Sequence, residues 1–419
     1  MLKIYKILFL VLISTNCFAQ QNLIDSIVFK NNKKTKTNFL LDIIISRPKT
    51  KLDSLEIQKD LLVLSRLNSI SNVNFTVTKN ELNNYILEYF ITEKLTIIPS
   101  LIIAKNVKSG SYRIGVDDYN FSGKNITFGV SYQYNEFNSF GIRYVSPFFF
   151  SSKYGLEGFI QSMNSREPIF FSGQTSDYKF TNNSVEFSGI FRYDYKNNFK
   201  IGVGSFIETY KYLEGFQNLD FPAKFNKTKY LTKFQYFNEN VKYNFYQLNG
   251  LKNSFVYQNI LTGSDFKNLF LIFTNDLVFY KKFKTNTNWA SRFRIGLSSN
   301  NFSPFSAFAI DNNLNVRGVG NLVDRGTATI VLNTEIRQTL FEHKWFALQG
   351  NAFVDSGTIR SSGENLNSLF ENKNIRIYPG LGLRLIHKNI FNAVFRIDYG
   401  FGITKNSSKG IVFGIGQYF

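Results

Sequence analysis

The chain is 419 residues long and strongly basic, with 49 Lys and Arg against 30 Asp and Glu for a formal net charge of +19. The charges are scattered, without a clustered patch or recognition helix, so they leave no nucleic-acid footprint; lysines beside anionic lipid headgroups are the plainer reading. Mean hydropathy is −0.15, and no apolar run beyond Gln20 reaches the roughly 18 residues of a spanning helix, which excludes a helical membrane protein.

Residues 1–19 read as a secretory signal peptide: Lys3 and Lys6, a short apolar run from Ile7 to Ile13, then the small residue Ala19. Asn16 is a poor residue before a lipid-modified cysteine, so cleavage after Ala19 is expected rather than an anchor on Cys17. That cleavage removes the only cysteine, and with it any disulfide or thiolate metal site.

Residues 22–95 are expected to form a small α+β unit. Ile24 to Phe29 reads as a strand ending at Asn31-Asn32, and Thr37 to Ser46 as a helix with Phe39, Leu40, Ile43, Ile44 and Ile45 packed, stopped by Pro48. A second helix starts at Asp53, a capping residue with Glu56 three positions on, and places Leu55, Leu61, Leu62, Leu64 and Leu67 at helical spacing. Two strands follow, Val73 to Thr78 and Tyr85 to Thr92.

Residues 99–419 contain no convincing amphipathic helix. They alternate apolar and polar positions in segments parted by Asn, Ser, Gly and Lys: Tyr112–Val116, Ile126–Tyr134, Tyr154–Ile160, Val185–Tyr193, Phe199–Tyr210, Tyr230–Phe237, Tyr243–Leu248, Ser254–Leu261, Leu269–Phe279, Trp289–Leu297, Leu381–Ile386, Ala393–Phe401 and Ile411–Phe419. Aromatic residues make up 17% of the chain, with 46 Phe and 23 Tyr, too many for the exposed faces of an open sandwich. A transmembrane antiparallel β-barrel uses them on its lipid face and in its interfacial girdles; at about 20 residues per strand and connection this region holds about 16 strands.

Two of the later strands carry acidic residues on their polar side. From Thr329 to Arg337, Ile330, Leu332, Thr334 and Ile336 share one face while Val331, Asn333, Glu335 and Arg337 share the other. From Phe346 to Gly357, Phe346, Leu348, Ala352 and Val354 face one way and Gln349, Asn351 and Asp355 the other. Just upstream lies the glycine-rich stretch Asn315-Val316-Arg317-Gly318-Val319-Gly320. On alternation alone, Arg317, Glu335 and Asp355 could equally be unrelated polar residues of a barrel lumen.

Their order and spacing resemble the outer-membrane assembly barrels of the BamA/TamA superfamily. The matching pieces are Val316-Arg317-Gly318, Leu332-Asn333-Thr334-Glu335 and Phe353-Val354-Asp355-Ser356-Gly357, with Val319 standing where that family usually has Tyr or Phe. Gly380-Leu-Gly-Leu-Arg384, Arg396-Ile-Asp-Tyr-Gly400 and Tyr144-Val-Ser-Pro147 are similar to further family segments. The strand-helix-helix-strand-strand order before the barrel resembles the family's periplasmic POTRA module. The resemblance implies that a long loop folds into the barrel and that its Arg317 meets Glu335 and Asp355 in the lumen. It implies also that the aromatic final strand, with Phe413, Gly414 and Phe419, is the signal read by the insertion machinery. On the residues, Ile411, Phe413, Ile415 and Phe419 share one face that Gln417 interrupts.

Nothing in the sequence calls for catalysis. The two histidines, His343 and His387, fall in expected turns without a nucleophile or ligand partner at motif spacing, and no metal loop or phosphate loop is present. No cofactor and no nucleic acid is expected. The resemblance implies a barrel in the cell outer membrane, with its N-terminal domain in the periplasm, that assists insertion or translocation of polypeptides. Its partners would be outer-membrane lipid and lipopolysaccharide, unfolded β-rich client polypeptides and further subunits of an assembly machine. The alternative is a passive channel or substrate-specific porin with a periplasmic appendage.

Overall fold

The computed structural model describes residues 23–81, 84–105, 110–171, 174–217, 222–244, 246–262, 269–283, 286–301, 307–311, 315–319, 324–390, 393–404 and 407–419. The expected signal segment, with Cys17 and Ala19, lies outside them, as does Gly320.

The N-terminal unit is built from β1 (Ile24–Lys30), helices α1 (Thr37–Ile43) and α2 (Ser54–Ser65), then β2 (Ile70–Lys79) and β3 (Tyr85–Glu93). β3 is the central strand, parallel to β1 and antiparallel to β2. Phe39, Leu40 and Ile43 of α1 and Ile57 and Leu64 of α2 pack on Leu87, Tyr89 and Ile91. Asp53 caps α2, its Oδ1 accepting from the Leu55 N–H at 2.7 Å. α1 is shorter than its apolar pattern suggests. Asp60, fully buried on α2, accepts from the backbone N–H groups of Ile45 and Ser46 and from the Tyr89 hydroxyl, and so draws residues 44–46 out of the helix. Ile45 is consequently exposed, not packed. Leu55 and Leu62 are exposed too, whereas Ile57 is core: apolar residues on both faces of α2 blur its period.

Sixteen antiparallel strands form the second sheet, in chain order from first to last. They are β4 (Ile97–Lys105), β5 (Gly110–Phe121), β6 (Ile126–Tyr134), β7 (Asn138–Ser146), β8 (Tyr154–Phe171), β9 (Gln174–Arg192), β10 (Asn197–Gly215) and β11 (Lys224–Asn244). Then come β12 (Gln247–Thr262), β13 (Leu269–Lys282) and β14 (Thr287–Ser298). A small hairpin, β15 (Phe308–Ile310) with β16 (Asp324–Gly326), lies in the connection to β17 (Ala328–Glu342). β18 (Phe346–Arg360), β19 (Arg376–His387), β20 (Val394–Phe401) and β21 (Lys409–Ile415) complete the wall. β4 and β21 come alongside each other, which rounds the sheet into a barrel, but among the described residues no ladder pairing joins them.

Alternation sorts the wall as a membrane barrel requires. On β20, Phe395, Ile397, Tyr399 and Phe401 point out while Val394, Arg396 and Asp398 point in. Tyr243–Leu248 is not a strand. Polar Asn238, Glu239 and Asn240 belong to the long β11, and the chain reverses between Asn244 and Gln247. Cross-strand pairing outweighs local polarity there, as it does through Asn182-Asn183-Ser184 of β9.

The unit sits against one end of the barrel. Lys36 N–H donates to Gly123 O at 3.0 Å, Asn120 Nδ2 to Thr35 Oγ1 at 3.0 Å, and Asn68 N–H to Asn125 Oδ1 at 2.9 Å. Arg66 donates to the carbonyls of Tyr195 and Glu239, and Phe39 meets Phe148 edge to face at 5.4 Å.

Candidate functional site

The connection between β14 and β17 turns back into the barrel. Val316 N–H donates to Asp311 O at 2.9 Å, and Val316 and Val319 pack with Ile310, Val331, Ile359 and Tyr378 on the inner wall. Gly318 has φ +95° and lies so close to β20 that a Cβ there would come within 2.5 Å of Gly400 O, so only glycine fits. Its carbonyl accepts from Ser408 Oγ at 3.0 Å. Asn315 adds a second tie. Its Oδ1 accepts from Arg294 Nη1 at 2.8 Å and its carbonyl from Asn333 Nδ2 at 2.8 Å.

These contacts deliver Arg317 to the inward faces of β17 and β18. Its Nε and Nη2 bond the two Asp355 oxygens at 2.8 and 2.9 Å, a planar fork that lysine cannot copy. Its backbone N–H also donates to Asp355 Oδ2 at 3.0 Å. Nη1 bonds Glu335 Oε2 at 2.8 Å and lies 3.5 Å from Asp398 Oδ1. Register explains the meeting: Asp355 pairs with Asn333, so Glu335 is its diagonal neighbour on the same face. Arg317, Glu335, Asp355 and Asp398 are all 0–1% exposed, so the cluster is buried.

The cluster is larger than the sequence suggested. Glu335 also accepts from Arg337 Nε and, through both oxygens, from Arg384 Nη2 at 2.8 Å. Arg396 Nη1 bonds Asp398 Oδ2 at 3.0 Å. Four arginines thus share three carboxylates, and the shared geometry offsets the large cost of removing each charge from water. Rings complete the setting: the Arg317 guanidinium carbon is 3.6 Å from the Phe353 ring centroid and 4.5 Å from that of Tyr418. Asp398, Arg337, Arg384 and Arg396 all occupy inward positions by parity, and Arg384, Arg396 and Asp398 also lie in the two segments similar to the family, but neither signal joins them to Arg317.

The final strand departs from the expected face. Ile411, Phe413 and Ile415 point outward, with Phe413 65% exposed, and Gly414 points inward against Arg396. Phe419 does not share that face. The strand ends at Ile415, Gly416 adopts φ +90°, and Phe419 lies inside against Val241, Leu248, Tyr280 and Ala290. His343 lies in the turn after β17 and His387 at the end of β19, its ring 5.3 Å from Trp345.

The chain matches no family model and no curated protein. Solved structures match it over nearly its whole length. BamA from Haemophilus ducreyi lacking POTRA domains 1–3 is 15% identical with a TM-score of 0.56, covering 93% of this chain and 83% of its own. CdiB from Acinetobacter baumannii is 16% identical with a TM-score of 0.63, over 94% and 73%. CdiB from Escherichia coli is 12% identical with a TM-score of 0.63, over 94% and 75%. The sixteen-stranded wall of this chain therefore shares the barrel fold of BamA and CdiB.

Proposed function

We propose that the chain is an outer-membrane barrel that assists polypeptides to insert into or cross that membrane, with the N-terminal unit, POTRA-like, in the periplasm. The observation that carries this reading is the buried Arg317 cluster: a loop is locked inside the lumen by bonds to β17 and β18, with a further acid on β20. A simple porin does not need a loop locked in this way. The barrel fold shared with BamA and CdiB supports the same reading. No nucleotide or other cofactor enters it. Clients would be unfolded β-rich segments that add to the edge strand β2, whose only ladder partner among the described residues is β3.

The test is the outer-membrane proteome of cells with and without the chain. Loss should deplete a subset of barrel or secreted proteins, and a form lacking Asn22–Lys94 should insert without restoring them. An unchanged proteome, together with a steady open conductance of the purified barrel, would overturn the assembly reading in favour of a porin. Full restoration by the truncated form would reduce the N-terminal unit to a spacer.

A further inference from the structure

Four neighbouring wall strands carry a row of cations on the outside of the barrel. The N-terminal unit touches the turns at Gly123, Phe148 and Tyr195, so the β8–β9 and β10–β11 hairpin ends lie at the opposite end of the wall. Register sets Arg166 of β8 opposite Lys179 of β9, Lys179 opposite Lys211 of β10, and Lys211 opposite Lys224 of β11. Each shares the parity of an exposed apolar residue on its own strand: Ile160 with Arg166, Val185 with Lys179, Ile207 with Lys211 and Tyr230 with Lys224. Like charges directly opposite one another work against pairing. Arg166 is answered within the protein: Nε and Nη2 bond Glu136 at 2.8 and 2.9 Å, and Nη1 bonds Asp177 at 3.1 Å and Glu214 at 2.9 Å. The three lysines are not. Lys211 and Lys224 are exposed, Lys179 is half-buried with its ammonium 4.7 Å from the Phe137 ring centroid, and among the described residues none of the three meets a carboxylate.

We propose that Lys179, Lys211 and Lys224 form a binding rung for the phosphates of a glycolipid in the outer leaflet, lipopolysaccharide by chemical class. The proposal rests on the outer-membrane reading for the leaflet that the row meets. Height selects the lipid. Lys224 lies six residues beyond Tyr230 and Lys211 four beyond Ile207, about 13–20 Å along strands that rise about 3.4 Å per residue. With a strand tilt of about 40° the row stands about 10–15 Å above the apolar edge. The headgroup layer of a phospholipid leaflet is only about 5–8 Å deep, so its phosphates fall short of the row. A glycolipid carries anionic groups on a sugar layer that reaches it. Between edge and row the outer face presents exposed, uncharged Asn183, Asn226 and Thr228, which can bond sugar hydroxyls. Neighbouring strands lie about 4.8 Å apart, and flexible lysine stems let the three ammonium groups spread to separate phosphate oxygens. An anion seated between paired lysines turns their mutual repulsion into attraction.

Lipid binding by the purified full-length protein in detergent tests it, with lipopolysaccharide, the same lipid stripped of phosphate, and phosphatidylglycerol as probes. A lysine near an anionic membrane surface is a factor of about 5 in affinity, so Lys179→Gln, Lys211→Gln and Lys224→Gln together should weaken lipopolysaccharide binding about 100-fold. Removing the phosphates should weaken binding to the parent by a similar factor. Arginine at the same three positions should bind like the parent. So should Lys51→Gln, Lys59→Gln and Lys79→Gln together, which remove the same charge from exposed positions of the N-terminal unit. An unchanged shift in gel mobility on boiling shows that each variant barrel is folded. Undiminished binding by the row variant would overturn the site, and equal loss in the N-terminal variant would reduce it to bulk charge. An equal loss with phosphatidylglycerol would make the row a general anion patch and overturn the glycolipid. These readouts do not involve client proteins, so the rung can fail while the assembly reading stands, and the reverse.

Discussion

Arg317 shows how far a single residue can be read before its fold is known. Period two gave only the inward direction of Glu335 and Asp355; that Arg317 meets them was what the resemblance to the assembly barrels implied. Asp398, Arg337, Arg384 and Arg396 have the same parity on β17, β19 and β20, yet only the register of four paired strands says that they meet. Phe353 and Tyr418 were hidden for another reason, since an aromatic residue in a barrel is expected outside. Because the cluster is buried, removing its shared cation leaves carboxylates buried with fewer partners. Arg317→Ala should cost about 3–5 kcal/mol, felt in the loop rather than in the wall. A thiol placed by Val319→Cys, at a position 8% exposed, should be shielded from a maleimide in the parent and react in the alanine variant. Arg317→Lys should react nearly as fast, because an ammonium cannot hold the Asp355 fork and Glu335 together. Lysine that protects the thiol fully would mean that charge alone holds the loop.

At the scale of elements, alternation and capping located most strands and both helices, and the errors fall where tertiary bonds overrule local pattern. α1 ends early because Asp60 takes the amides of Ile45 and Ser46, a partner 14 and 15 residues away that no helix rule anticipates. Asp60→Ala would leave three buried or half-buried donors unmet at about 1–3 kcal/mol each, so a loss of roughly 3 kcal/mol or more is expected. Hydrogen exchange should show β1–β3 opening while the barrel strands stay protected; uniform protection would make Asp60 dispensable. Glu93 at the end of β3 ties the turn after β1, accepting from the backbone N–H groups of Lys33, Lys34 and Thr35 at 3.1, 2.9 and 2.7 Å. Burial raises its pKa, but these donors and the Thr35 hydroxyl outweigh it, so the carboxyl titrates below its usual 4.5. A depressed carboxylate contributes stability that is complete above its unfolded pKa and lost as pH falls through the folded one. A spin label at the exposed Lys33 should therefore become mobile as the pH drops below about 4.5, with the usual glutamate value as reference. Glu93→Gln should already be mobile at neutral pH. A label equally rigid in both at every pH would exclude Glu93 as the tie.

For the whole molecule, the strand count followed from chain length divided by strand spacing, but the docking of the two parts did not. Phe148, Phe149 and Phe150 are one aromatic run in sequence; Phe148 packs into the core of the N-terminal unit while Phe149 and Phe150 remain exposed. Arg192 covers the other contact of Phe148, its guanidinium 4.1 Å from the ring. The unit is otherwise held to the barrel by polar contacts: hydrogen bonds to turn backbone, bonds of the buried Asn120 and Asn125 side chains, and the partly exposed Lys34–Asp118 pair at 3.1 Å. Phe148 is thus the main apolar pin between them. A fully buried Phe→Ala change costs about 3–5 kcal/mol, so a half-buried ring at an interface should cost about 1–2. Phe148→Ala should accordingly broaden the distance distribution between spin labels on α2 and on the β9–β10 turn. The barrel itself should be untouched, because sixteen paired strands carry its stability, and its shift in gel mobility on boiling should match the parent. A distribution as narrow as the parent's would mean that the polar contacts of Arg66, Asn68 and Lys36 suffice to seat the unit.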